Sequence, residues 1–482
     1  MATSYDDNQQ GGVAAVTNGY GTSISDLAES AGHGNNNSKS NTSDFAALPA
    51  ISVPPSGGAI RSIDEKFGVD ACLGTGSLTL PVQTSPARSG FGPTLQLAYN
   101  SGNGNGTFGL GWQSSVSSIS RRTSKGLPLY EDADDSDVFV LAGFEDLVPA
   151  FRKVSGKRLA KDKWGDFEFD IMVRDGHEVR RYQPRIEGSF TRIERWTRCS
   201  DGDVHWRCIS QDNATTIYGI DENSRIFDAC AVDGSRRRVF SWLICSRYDS
   251  RGNAVAYEYK AEDSAGLDLL QANEYNRTIQ TRSSNRYLKV IKYGNRTPNR
   301  DTEWCATDPR LLPDKTWMFK VVFDYGEHHL EHPDVYGHGV WSAREDPFSS
   351  YVATFEVRTY RLCRRILMFH CFPEELGLEA CLVSSTNITY KQSPVASFIV
   401  NISQSSYVQS EGDGCYLKKS LPPLDLEYSK VPDIRNPVLQ SVQQIDSESM
   451  ENIPVGVDGK NYQWIDLNGE GLPRVFSTKD DC

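Results

Sequence analysis

The chain has 482 residues, 38% of them apolar and 24% charged, enough to bury a core over most of its length. Its formal net charge of -12 and pI near 5.3 repel phosphate backbones and anionic headgroups, which argues against nucleic acid and anionic membranes as partners. No apolar run approaches the ~20 residues that a membrane helix needs, so no membrane insertion is expected.

Residues 1–55 are rich in Asn, Ser, Gly and Ala, as in GHGNNNSKSNTSD at 32–44. Such a stretch buries too little apolar surface to offset its ordering entropy, so it reads as a disordered tail. Residues 1–48 carry neither a basic nor an apolar leader region. The expectation is cytoplasmic synthesis, with any secretion by a signal-peptide-independent route.

From residue 59 short apolar–polar alternations take over, punctuated by Gly, Asn, Asp and Pro. Leu95, Leu97 and Tyr99 share one face, as do Phe167, Phe169 and Ile171, and Val255, Tyr257 and Tyr259. A period of two predicts strands. Further strands are predicted over 189–198, 203–210, 214–220, 238–248, 286–293, 317–325, 353–362, 383–390 and 396–408. The best helical stretch is 373–380. Many strands at roughly ten-residue spacing indicate an all-β sandwich, barrel or shell. Beyond 421, the Pro-rich LPPLDLEYSKVPDIRNP reads as a linker, and NYQWIDLNGEGLPRVFS as one strand–turn–strand unit.

Eleven cysteines, at 72, 199, 208, 230, 245, 305, 363, 371, 381, 415 and 482, form no CxxC pair. Their odd count and irregular spacing suit reduced, buried thiols and give no support to a structural zinc site.

Three motifs invite a functional reading. Gly104, Gly106 and Gly109 fit GxGxxG, but a dinucleotide loop must open a helix, and LGWQSSVSSISRR carries no helical stripe. A Gly-rich hairpin turn is the expectation. Residues 325–339 gather Glu327, His328, His329, Glu331, His332 and His338. His328 and His332 have the spacing of a helical metal pair, yet Pro333 stops a helix at once, so a polar surface loop is expected. Asp466, Asn468, Glu470 and Gly471 imitate the start of a calcium loop, but its twelfth position is Ser477. A tight turn is expected there too. No nucleophile elbow, Walker loop or H-E-x-x-H occurs. We therefore assign no catalytic, cofactor-binding or metal residues and expect no enzyme and no cofactor.

GTGSLTLPVQTSPARSGFGPTLQLAYNSGNGNGTFGLGW at 74–112 resembles the opening of the SpvB-like family domain, as does SISRRTSKGLPLYEDADDSDVFVLAGFEDLVP at 118–149. YDSRGNAVAYEYKAED, NRYLKVIKYGNR and DPFSSYVATFEVRTYRLCRRILMFHCFPEE continue the resemblance, and YDSRGN is similar to one YD-type repeat. The resemblance implies the start of a B component of insecticidal Tc toxin complexes. Such a component builds, with a C component, a hollow β-shell around a toxic polypeptide and docks through a β-propeller on a pore-forming A component. The expected partners are thus the C component with its cargo and the A component. The implied fold is an all-β, curved multi-sheet SpvB-like shell over 56–430, then a linker and a truncated propeller blade over 431–482. Gly74, Gly76, Pro86, Gly90, Gly92, Gly109, Gly111 and Trp112 are expected to define the fold, with Phe91 and Phe108 as core anchors. The chain leaves no room for a full propeller or YD-repeat half. In another branch of the family the domain precedes an ADP-ribosyltransferase, whose E-x-E and S-T-S triplets are both missing here. A delivery domain without its catalytic part, or a truncated homologue, is the alternative.

Overall fold

The computed structural model describes residues 65–70, 74–132, 134–142, 145–154, 158–159, 161, 167–231, 238–301, 303, 305–409, 416–429, 462–465 and 474–477. The chain divides into compact units 1–57 and 58–482, and every described residue belongs to the second. The predicted tail over 1–55 and the 466–471 turn lie outside the described residues.

Eight antiparallel strands close on themselves. They are β1 (Ser118–Arg121), β2 (Phe139–Leu141), β3 (Glu145–Pro149), β4 (His177–Pro184), β5 (Arg192–Arg198), β6 (Val204–Ile209), β7 (Thr215–Tyr218) and β8 (Val239–Tyr248). β4 through β7 pair in order and β7 pairs with β8. β8 then pairs with β1, β1 with β2, β2 with β3, and β3 with β4. A barrel of this size has an interior that side chains alone can fill. Here aromatic rings fill it: Phe139 lies 4.9 Å from Trp206 and 5.7 Å from Trp242, and Tyr182 lies 5.0 Å from Trp206. Such edge-on contacts favour the aromatic quadrupoles beyond the area they bury.

The barrel opens into a second sheet at β8. Its residues 241–243 pair with β1, whereas 246–248 pair with β9 (Ala254–Ala261). The YDSRGN segment makes this turn. Asp249 accepts hydrogen bonds from the Arg251 and Asn253 amides, and Gly252 takes a φ of 83°. The meander continues through β10 (Arg286–Asn295), β11 (Trp317–Asp324), β12 (Arg365–His370), β13 (Cys381–Lys391), β14 (Phe398–Gln409) and β15 (Tyr416–Ser420). Register shifts at 258/259, 368/369 and 389/390 bend it.

Side-chain alternation buries both faces of the central meander. Phe319, Val321, Phe323, Ile366 and Met368 enter the main core, while Val322, Leu367 and Phe369 enter a second cluster on the opposite face. The N-terminal sheet of Lys66–Asp70, Thr75–Pro81, Gln96–Asn100 and Trp112–Ser114 covers the main core with Leu80, Leu97 and Trp112.

The GxGxxG segment is a hairpin, Asn105–Gly106 against Gly109–Leu110, and a strand follows it, not a helix. Phe108 is buried in the main core, and Phe91 packs against it half-exposed under the Arg247 guanidinium. A Cβ on Gly109 would sit 2.5 Å from the Ser397 carbonyl oxygen, and one on Gly111 2.4 Å from the Tyr99 ring, both at positive φ. These two positions demand glycine for space and conformation together. Pro86 and Gly90 sit at the surface, and Gly74 meets nothing nearby, so these act only through the backbone.

Several expectations need correction. Phe167 and Phe169 make only isolated bridges, and Phe167, Phe169 and Ile171 are exposed, because no sheet covers that face among the described residues. The 353–362 strand shrinks to Val357–Thr359, and the helix over 373–380 to one turn, Pro373–Leu376, ended by left-handed Gly377. The 462–477 unit is a hairpin of Tyr462–Ile465 and Arg474–Ser477. No propeller blade is seen among the described residues. All eight described cysteines are free. Cys208, Cys245, Cys363, Cys371 and Cys381 are buried, but Cys199, Cys230 and Cys305 are exposed, contrary to the expectation of burial.

Candidate functional site

The His-rich segment carries a buried ionisable cluster, and the structure reverses part of its reading. Glu327 and His328 are buried, not at the surface. The reason lies on three neighbouring strands. Lys289 of β10 donates to Glu327, to the Phe323 carbonyl at 3.0 Å and reaches His328 Nε2 at 2.8 Å. Arg365 of β12 donates to Asp324 Oδ2 at 2.6 Å and to the carbonyls of His328, His329 and Leu330 at 3.0–3.1 Å. One guanidinium thus gathers three successive carbonyls, which fixes the segment as an irregular loop.

Burial opposes charge on Glu327, but the neighbouring His328 ring and the Lys289 ammonium outweigh it and hold the carboxyl well below its usual range. Burial pulls the Lys289 ammonium down, against Glu327. The close contact decides for the ionised pair, since neutralising one partner would leave the other charge buried alone.

The four histidines do not converge. His329 Nδ1 accepts from the amides of Glu331 and His332, and its ring stacks on His332 at 5.6 Å. Exposed His338 pairs with Asp334 at 2.8 Å. Asp324, Glu327 and His328 could offer a metal three ligand atoms within 4.8 Å of one another. Lys289 and Arg365 already neutralise the two carboxylates, so the donor set does not fit a divalent cation without displacing an internal ammonium. The cluster ties the loop down.

Beside it lies an open cleft of about 1060 Å³, reached by Arg364, Arg365, Asn387, Tyr407, Tyr416 and Lys418. Its walls come from the ends of β11 to β15. Sequence reasoning found neither Lys289, Asp324 and Arg365 nor this cleft. Lys289 and Arg365 sit in ordinary strand runs, and only the pairing of β10, β11 and β12 brings them together.

The forked barrel and its clamped Gly-rich hairpin match known proteins. Residues 70–372 match the family described as SpvB, Salmonella virulence plasmid 65kDa B protein. The chain belongs to the SpvB family. The Mono(ADP-ribosyl)transferase SpvB of Salmonella typhimurium strain 14028s is 37% identical over 376 residues, 77% of this chain and 59% of that protein. The chain thus spans about three fifths of the length of the curated SpvB relatives it matches. The solved N-terminal domain of effector protein SpvB from Salmonella typhimurium strain LT2 is 36% identical with a TM-score of 0.56, covering 68% of this chain and 100% of that domain. The crystal structure of TcdB2-TccC3 is 31% identical with a TM-score of 0.66, covering 90% of this chain and 20% of that one. These matches fall on the N-terminal domain of SpvB and on a Tc toxin B-component shell, so this SpvB-family chain is a toxin-related structural component.

Proposed function

We propose that the chain forms part of the wall of a toxin-complex-like shell that encapsulates or delivers a toxic polypeptide. The observation that carries this reading is the likeness to TcdB2-TccC3 over 90% of the chain at 31% identity. A forked sheet suits a wall, because β8 lets a closed barrel and an open meander share one ladder. The meander ends at β15, which among the described residues pairs on one side only. Such an edge offers backbone groups to a further strand. The partners in this reading are other toxin-complex components, a C-type chain with its cargo and an A-type pore.

The test replaces the corresponding segment of TcdB2 with this chain and co-expresses TccC3. Co-elution with TccC3 and protection of a TccC3 segment from added protease is the expected result. Failure of a folded chimera to retain TccC3 would overturn the reading.

A second reading rests on the full coverage of the SpvB N-terminal domain at 36% identity. In it the chain delivers an ADP-ribosylating partner domain. Fusing the chain to a reporter and finding translocation without any C-type chain would favour it over the shell.

A further inference from the structure

The aromatic filling of the barrel turns polar at one end. There β4, β5 and β6 set Arg180, Arg195 and Trp206 side by side on one rung, since Arg180 pairs with Arg195 and Arg195 with Trp206. Tyr182 is two residues along β4 from Arg180 and so shares its face. Its ring lies 5.0 Å from Trp206 and 5.7 Å from the Arg180 guanidinium carbon. Arg195, Tyr182 and Trp206 are 6%, 4% and 0% exposed.

Like charges directly opposite on neighbouring strands repel, so Arg180 and Arg195 need anions. Asp135 accepts from both Nη atoms of Arg180, at 2.5 and 2.7 Å, and Asp132 from an Nη of Arg195 at 2.9 Å. Arg121 at the same end is held by Asp132, Asp137 and the Val239 carbonyl. All three acids come from the loop between β1 and β2. Three guanidiniums thus face three carboxylates, but at different depths. The Asp135 and Asp132 side chains are 37% and 21% exposed, against 11% for Arg180 and 7% for Arg195. Solvent screens these two acids more than their partners, which leaves the lumen behind the rung electropositive.

Four groups on and beside this rung stay unused. Arg180 Nε, Arg195 Nε, the Tyr182 hydroxyl and Trp206 Nε1 are all buried and have no hydrogen-bond partner among the described residues. Burial raises the Tyr182 phenol pKa against the pull of Arg195 and Arg180, so the hydroxyl keeps its proton at neutral pH. All four are donors, and three of them cannot accept at all. Leaving such groups unpaired costs free energy that a shared acceptor recovers. A water could take two of these bonds, yet at least one of its own protons would be left against a ring face. An anion accepts from every donor and has no proton to place. We propose that the barrel lumen binds one small inorganic anion of halide size between Tyr182, Trp206 and the Nε groups of Arg195 and Arg180. Phe139 packs 4.9 Å from Trp206 and 6.0 Å from Tyr182, and rings this close favour a monatomic ion over a larger oxyanion. The ion ties β4, β5 and β6 together. The inference does not rest on the shell reading.

The experiment follows the urea midpoint of the full chain as sodium gluconate is replaced by sodium chloride at constant ionic strength. Gluconate is too large for the lumen, so screening stays fixed while the guest is supplied. The expected result is a midpoint that rises along a saturable curve, as for a ligand that binds only the folded chain. Tyr182→Phe should raise the chloride dissociation constant about tenfold, because it removes one bond to the charged guest. In gluconate alone the same variant should match or exceed the parent midpoint, since it deletes a stranded hydroxyl. Tyr428→Phe, outside the barrel, should shift the midpoint equally in both salts. A parent midpoint that ignores chloride would overturn the proposal and leave the donors to water. A chloride effect of equal size in Tyr182→Phe, or one that never saturates, would overturn it as a general salt effect. A Tyr182→Phe midpoint well below the parent in gluconate would show that the hydroxyl is already bonded within the chain, which overturns it too.

Discussion

The indole Nε1–H of Trp112 donates to the phenol oxygen of Tyr428 at 2.8 Å, joining residues 316 positions apart. Trp112 closes the N-terminal sheet, and Tyr428 follows the last meander strands, so the bond ties both ends of the domain. Tyr99 sits between them, its ring 5.3 Å from Trp112 and 5.9 Å from Tyr428. Tyr428→Phe keeps the ring contacts and strands a buried N–H, which should cost about 1–2 kcal/mol. Trp112→Ala should cost about 3–5 kcal/mol, because it also empties a fully buried site. Urea unfolding followed by tryptophan fluorescence measures both. Equal losses for the two variants would mean that the ring packing contributes nothing.

A fully buried ion pair sits under the 341 loop. Arg361 Nε donates to Glu262 Oε2 at 2.8 Å, a second nitrogen reaches Oε1, and Nη1 donates to the Trp341 carbonyl at 2.7 Å. Neither side chain is exposed. Arg361→Met should therefore destabilise by about 3–5 kcal/mol, through the carboxylate it leaves unpaired. Adding Glu262→Leu should recover part of that loss, since the lone charge goes with it. A double variant no more stable than Arg361→Met would place the cost in the Trp341 and Ser264 backbone bonds instead.

The strand pattern was legible because period two is local. Residues 238–248, 286–293 and 383–390 became β8, β10 and β13 with ends shifted by two residues at most. The turn at 104–109 was legible for the same reason, since a missing helical stripe rules out a phosphate-binding helix. Closure of the barrel was not legible. It depends on β1 meeting β8 across more than a hundred residues, and no local period encodes that pairing. The His-rich loop failed for a related reason. Its composition is polar, but Lys289 and Arg365 arrive from distant strands and make burial of Glu327 and His328 tolerable. The Phe167–Phe169 run misled in the opposite direction, having strand alternation without a sheet to cover it.

Gly109→Ala tests the hairpin clamp. The new methyl group would meet the Ser397 carbonyl oxygen at 2.5 Å, where Leu110 now donates its amide at 2.8 Å. The residue also keeps a φ of 83°, unfavourable to any side chain. Strain and overpacking together should cost about 2–4 kcal/mol. Gly104→Ala, with nothing near its Cβ position, should cost under about 1 kcal/mol. Thermal unfolding of the two variants side by side gives the comparison. Similar losses would show that the Ser397 contact relaxes freely.

Acid sensitivity should come in part from His205. Its ring is buried, stacked on Trp196 at 5.8 Å and edge-on to His177 at 5.5 Å, and its Nε2 accepts from Arg207 at 3.3 Å. Burial, reinforced by Arg207, His177 and Arg225 and opposed by Asp203, pulls its pKa down to about 3. An unfolded histidine titrates near 6.5, so between about pH 6.5 and about pH 3 the unfolded chain holds a proton that the folded chain refuses. Stability from this residue is complete above about pH 6.5 and falls by about 1.4 kcal/mol per pH unit as the solution is acidified. His370 is shifted down by burial and acts with the same sign. Asp203, held low by Arg225 against its burial, loses its contribution only in more acidic solution, below the ordinary carboxylate range. His205→Gln keeps an acceptor for Arg207 but cannot take the proton. Unfolding free energies measured between about pH 7 and about pH 5 should therefore fall less steeply for the variant, by close to one proton's worth of slope. Parallel slopes for variant and parent would mean that His205 gains its proton in the folded barrel, and the packing around it would have to admit water.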